Sequence, residues 1–140
     1  MRIDYARWTL VLLLAVGAQG VEADEAKERA ALAAAEQWLA AVDDGQYAAT
    51  WKEAASYFRS AVSRDRWEQS MEAVRKPMGK RVSRTVKSAA YTTALPGAPD
   101  GESVVIHFDT VFEHKAAAVE TVTPMLDKDG KWRVSGYFIQ

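Results

Sequence analysis

His107, Asp109 and Glu120 are the residues of this chain best suited to acid–base chemistry. His107 and Asp109 stand two apart in an alternating run, so on a β-strand both side chains leave the same face. With a turn centred on His114-Lys115, residue 109 comes opposite residue 120. An imidazole and two carboxylates would then gather in one place, and such groups move protons when held within reach of a substrate. The same register also sorts the apolar residues. Val104, Ile106, Phe108 and Phe112 share a face with Val119, Thr121 and Met125, and a second hairpin adds Val134 and Phe138. That is the expected core face. His107, Asp109 and Glu120 fall on the outer face with Arg133, Ser135 and Tyr137, where water keeps titratable groups near their ordinary pKa values. A solvated face is therefore the expectation, and no catalytic residue is assigned.

Other chemistry is absent by composition. The chain has no cysteine, which excludes thiol nucleophiles, zinc thiolate sites, disulfides and a lipid anchor on cysteine. Two histidines cannot make a His-rich metal site. No Gly-x-Ser-x-Gly elbow occurs. Pro96-Gly97-Ala98-Pro99-Asp100-Gly101 has no Lys-Ser or Lys-Thr behind it, so it is not a phosphate loop. Asp127-Lys128-Asp129-Gly130 lacks the later ligands of a calcium loop and reads as a hairpin turn. No metal or cofactor is expected. Arg75, Lys76, Lys80, Arg81, Arg84 and Lys87 form a basic run with no acid between Glu72 and Asp100. It fits either an anionic partner or charge balance against the acid-rich first helix.

These groups need elements to hold them. Asp24 to Asp43 is rich in Ala, Leu, Glu and Lys, which favour a helix. Its inward stripe is Glu28, Leu32, Ala35, Leu39 and Val42, with Trp38 at the edge and Gly45 as the C-terminal cap. A second helix begins near Gln46 with the stripe Tyr47, Trp51, Ala54, Ala55, Phe58 and Val62. Ser63 caps a third, whose inward residues are Trp67, Met71 and Val74, and which Pro77 and Gly79 stop. Four strands follow, from Val82, Val104, Ala117 and Trp132 onward. The expected fold is α+β: three N-terminal helices packed on a curved four-stranded antiparallel sheet.

The start of the chain reads differently. Arg2 and Arg7 precede the apolar run Trp8 to Val16, and Gly17, Ala18, Gly20 and Ala23 follow. This is the layout of a secretory signal peptide over residues 1–20, cut after Gly20 or Ala23. The expected product is a single domain from Asp24 to Gln140, periplasmic or secreted, with no membrane anchor left. Without residues 1–20 the chain holds 16 basic and 18 acidic residues, a net charge of −2. Its 140 residues and 49% hydrophobic content suit one domain with a real core.

Several strings carry a resemblance: Ala34 with Glu36-Gln37-Trp38-Leu39, Ser63-Arg64-Asp65-Arg66-Trp67, Thr121-Val122-Thr123-Pro124-Met125 and Trp132-Arg133-Val134-Ser135-Gly136-Tyr137. Over nearly all of the chain from Ala30 onward it resembles the DUF4019 family, small and often exported bacterial proteins of unknown function. The resemblance implies no activity and no site residues. The order of helices then sheet is similar to the NTF2-like and cystatin-like cones, by analogy only.

Two functions remain open. The first is an exported non-enzymatic domain that binds a protein or a small apolar or anionic ligand, with nucleic acid not expected. The second is a small enzyme with an NTF2-like pocket, performing acid–base isomerisation, dehydration or hydrolysis. Inward carboxylates or an inward histidine on the sheet would favour the enzyme. The aromatic residues fill inward stripes, and a cone closed by helices can leave an apolar pocket at Trp51, Phe58, Phe108 and Trp132. The outer face offers Val122, Arg133, Tyr137 and Ile139 as an association surface. A homodimer through it is one reading, and a monomer whose valines reflect β propensity is the other.

Overall fold

A computed structural model describes residues 16–140. The charged and apolar parts of the expected leader, residues 1–15, lie outside them. Four helices precede four strands: α1 (Val16–Asp43), α2 (Tyr47–Lys52), α3 (Ser56–Ala61), α4 (Arg64–Arg75), β1 (Arg81–Thr92), β2 (Ser103–Phe112), β3 (Lys115–Leu126) and β4 (Trp132–Ile139). The sheet is antiparallel, in the order β1-β2-β3-β4, and the helices pack on one of its faces. The chain is an α+β domain. Among the described residues, no helix is long and apolar enough to cross a membrane.

α1 begins before Asp24 and runs unbroken through both expected cleavage points. Residues 20–26 are all exposed, Lys27 and Glu28 are half-buried, and the first buried residue is Ala31. Ala31, Ala35, Trp38, Leu39 and Val42 then line its sheet-facing side. Burying side chains such as Leu39 and Val42 contributes about 1.5–3 kcal/mol each. Asp43, Asp44 and Gly45 end the helix in a Schellman turn. Gly45 has φ +74°, its N–H donates to Val42 O and the Gln46 N–H donates to Ala41 O.

The expected second helix is two. It breaks at Glu53-Ala54-Ala55 because the Ala55 N–H leaves the helical ladder and donates to Val134 O of β4 at 2.8 Å. Tertiary pairing overrides propensity here. α4 starts as expected, with Ser63 Oγ accepting from the Arg66 N–H. Trp67 and Met71 face inward, but Val74 is 43% exposed and Arg75 is buried instead. Residues 67, 71 and 75 follow one another at i+4 spacing, and Val74 lies off that stripe.

β2 buries Val104, Ile106, Phe108, Thr110 and Phe112, as alternation predicts. Its partner is displaced by one residue from the expected register. Phe108 pairs with Glu120 and Asp109 with Val119. A one-residue slip exchanges the two faces of a strand. β3 therefore turns Ala118, Glu120 and Val122 toward the helices. β4 carries an irregularity opposite Thr123/Pro124. Val134 and Tyr137 both end up on the inner side, and Phe138, expected in the core, is 53% exposed.

Candidate functional site

The buried polar cluster on the inner layer of the sheet takes one residue from each of six elements: Asp43 from α1, Arg75 from α4, Arg84 from β1, Thr110 from β2, Glu120 from β3 and Tyr137 from β4. Glu120 is fully buried. Its Oε1 accepts from Arg84 Nε at 2.7 Å and from Thr110 Oγ1 at 2.5 Å. Its Oε2 accepts from Arg84 Nη2 at 3.1 Å and from the Tyr137 hydroxyl. Asp43 is engaged in the same way. Arg84 Nη1 donates to Oδ2 at 2.8 Å, and Arg84 Nη2 to Oδ1 at 3.0 Å. Arg75 Nη2 and Arg81 Nε donate as well, both at 3.0 Å.

The two buried arginines, Arg75 and Arg84, and the two carboxylates thus form a charge-balanced chain, which is what low dielectric demands of charges removed from water, and the more exposed Arg81 joins it from the rim. Burial alone would raise the Asp43 carboxyl, but the bonds from Arg84 and then Arg75 hold it below its ordinary value. Burial, together with the neighbouring Glu120 charge, pushes the Tyr137 hydroxyl far up, so it stays a donor. Arg75 lays its guanidinium on the Phe112 ring, 4.7 Å from the centroid. Its Nε and Nη1 find no acceptor among the described residues.

A carboxylate offers about four lone-pair positions, and four donors fill those of Glu120. Nothing is left to take a proton from a substrate. The cluster locks the sheet to α1 and α4.

The expected acid–base set is divided. His107 and Asp109 lie on the outer face, half-buried and exposed, while Glu120 lies inside. The basic run is divided too, since Arg75, Arg81 and Arg84 converge on Asp43. A register shift between Arg81 and Ser83 lets Arg81 and Arg84 reach the same carboxylate, which strict alternation would prevent. Of the residues placed on the outer surface, Val122 is fully buried, Tyr137 packs edge-on to Trp38 at 5.3 Å, and Ile139 pairs with Glu120 on the inner side. Arg133 is held by Asp129 at 2.6 Å. Phe138 is the large apolar residue that the outer face of β4 does present.

Trp51, Phe58, Phe108 and Trp132 do not share a cavity. Trp51 donates its indole N–H to Val62 O at 2.7 Å. Phe58 stacks edge-on against Trp67 at 5.0 Å. Phe108 floors a small hollow of about 220 Å³ beside Arg84. Trp132 lines a groove of about 440 Å³ between α1, α2 and β4. A larger cleft of about 740 Å³ runs between α3, the 99–102 turn and the end of β3. Among the described residues, no group of three or more His, Asp or Glu could hold a metal ion.

Residues 34–137 match the family model DUF4019, described as a protein of unknown function. The chain belongs to the DUF4019 family. The matched stretch begins within α1 and ends at Tyr137, so it contains all six residues of the DUF4019 chain's buried cluster. No curated protein matches the chain.

Proposed function

We propose that this protein is an exported, non-enzymatic binding domain. One observation carries the reading. The inward carboxylate of the sheet, Glu120, which an acid–base enzyme of this shape would use, has all its hydrogen-bonding positions filled by Arg84, Thr110 and Tyr137. A general base must lie within reach of the proton it removes, and Glu120 faces no cavity. The open clefts, by contrast, have volumes in the usual ligand range of about 300–1,000 Å³. Export rests on Arg2, Arg7 and the Trp8 to Val16 run. Residues 20–26 are exposed, so the chain around both cleavage points is no part of the core. The NTF2-like analogy adds no site to this reading.

A thermal-shift screen of small molecules on the processed protein tests it, because a ligand of the native state raises apparent stability by mass action. Each stabilising compound is then incubated with stoichiometric protein and weighed by mass spectrometry. The expected result is a stabilising compound recovered unchanged. A compound returned with altered mass, or a screen with no stabilising compound, overturns the reading.

A further inference from the structure

We infer that the groove between α1, α2 and β4 is a binding site for a neutral oligosaccharide. This rests on the binding-domain reading above and names its ligand class. The groove follows from helix geometry. Ala34, Gln37, Trp38 and Ala41 form one flank of α1 at i, i+3, i+4 and i+7, and Gln46, Ala49, Thr50 and Glu53 repeat that spacing along α2. Three of these are alanines, whose short side chains leave the space between the flanks unfilled. Lys131 to Val134 of the β4 segment close the third side, leaving about 440 Å³.

The lining has two kinds of chemistry. Trp132, half-buried, supplies flat apolar surface, while Trp38 is buried in the core behind the groove. The Trp38 indole N–H already donates to Thr50 O at 2.9 Å, so the floor exposes no polar group that lacks a partner. Gln37, Gln46 and Glu53 stand at the rim, and their side chains make no hydrogen bond to the protein among the described residues. A sugar ring presents the matching pair of surfaces, a face of C–H groups and an edge of hydroxyls. Aromatic rings take the first, and planar amide and carboxylate groups take the second in pairs of hydrogen bonds.

Two observations reject other occupants. Glu53 and Lys131 carry opposite charges on the rim, and Arg133 is already paired with Asp129, so the rim has little net charge to offer an anion. An extended peptide would need the free edge of β4, but Ala55 already occupies Val134 O there.

Titration of the processed protein with the neutral disaccharides cellobiose, maltose and N,N′-diacetylchitobiose, followed by tryptophan fluorescence and calorimetry, tests the site. At least one is expected to bind saturably. Trp132→Ala should weaken that sugar about tenfold or more. Because Trp132 also touches the core, Gln37→Ala/Gln46→Ala provides a rim variant that keeps the packing and should weaken binding by a similar factor. Phe138→Ala, on the far face, should bind normally. If none of the three sugars binds, or if binding survives both groove variants, the inference is overturned. An unrelated unchanged ligand from the thermal-shift screen would still leave the binding-domain reading intact. Conversely, a sugar that binds in the groove and is then cleaved would keep the site and overturn the non-enzymatic reading.

Discussion

Arg84 and Glu120 meet across an intervening strand: Nε on β1 lies 2.7 Å from Oε1 on β3, and Thr110 of β2 donates to the same oxygen from between them. The pair fastens the first strand to the third without a ladder bond. Removing one partner leaves a charge in low dielectric, which costs about 3–5 kcal/mol. Glu120→Gln should therefore destabilise the domain by that amount, seen as a lower urea midpoint at unchanged slope. The double variant Arg84→Met/Glu120→Leu, with no such charge stranded, should be less destabilised than the sum of the single changes. Additive losses would mean that the two side chains are not coupled.

Acid should weaken that cluster and, separately, the contact between Asp127 and Ser56. The carboxyls of Asp43 and Asp127 both sit below their ordinary value. Burial opposes the shift at Asp43, where Arg84 and Arg75 overcome it, and the Ser56 hydroxyl leads at Asp127. A depressed folded-state pKa gives stability that is present above the unfolded value and lost as pH falls through the folded one. Stability should hold from neutrality to about pH 4, the ordinary aspartate range, and decline below it. Urea midpoints taken across that range are the measurement, and Asp43→Asn should flatten the decline.

Neighbouring residues on β4 should respond in opposite ways. Tyr137 stacks on Trp38 and donates to Glu120, while Phe138 faces solvent. Tyr137→Ala should cost about 3–5 kcal/mol, as for an emptied aromatic site. Phe138→Ala should stay within about 0.5 kcal/mol. Equal losses would contradict the strand irregularity that separates them.

Trp67 is the aromatic hub beneath the helices. Its ring lies 5.0 Å from Phe58 and 5.8 Å from Trp38, and its indole N–H donates to Thr50 Oγ1 at 2.9 Å. Trp67→Ala should cost about 3–5 kcal/mol by denaturation. An unchanged midpoint would place the ring outside the core.

Gly79 links α4's exit turn to β1 at φ +73° and ψ −161°, a region that other residues avoid. A Cβ there would come within 2.9 Å of Glu113 Cβ. Gly79→Ala should destabilise by about 1–3 kcal/mol. An unchanged midpoint would show that the β1 entry can relax.

Features written in local chemistry were legible in the sequence. Gly45 announced the end of α1, Ser63 the start of α4, and Asp129-Gly130 the last hairpin. The β2–β3 register was not legible, because Glu113-His114 is a turn with neither Gly nor Pro, and β3 alternates plausibly in either phase. Val119 and Thr121 make as good an inner row as Ala118 and Val122 do. What separates the two registers is Glu120, whose inward position is favourable only with Arg84 and Tyr137 already in place. A hydrophobic count also passes over Arg75, since an arginine on an inward stripe registers as its end. The break before α3 has no sequence mark at all, being set by a bond to a strand nearly eighty residues away.

The buried cluster also bears on how long the folded state lasts. Its members stand at positions 43, 75, 84, 110, 120 and 137, so it cannot assemble until distant parts of the chain have been brought together. Contacts of such wide separation meet the entropy of loop closure first and reward it afterwards. Interactions that form after the folding barrier is crossed leave the forward rate alone and slow the return. The expected consequence is a brake on unfolding: Glu120→Gln should raise the unfolding rate more than it lowers the folding rate.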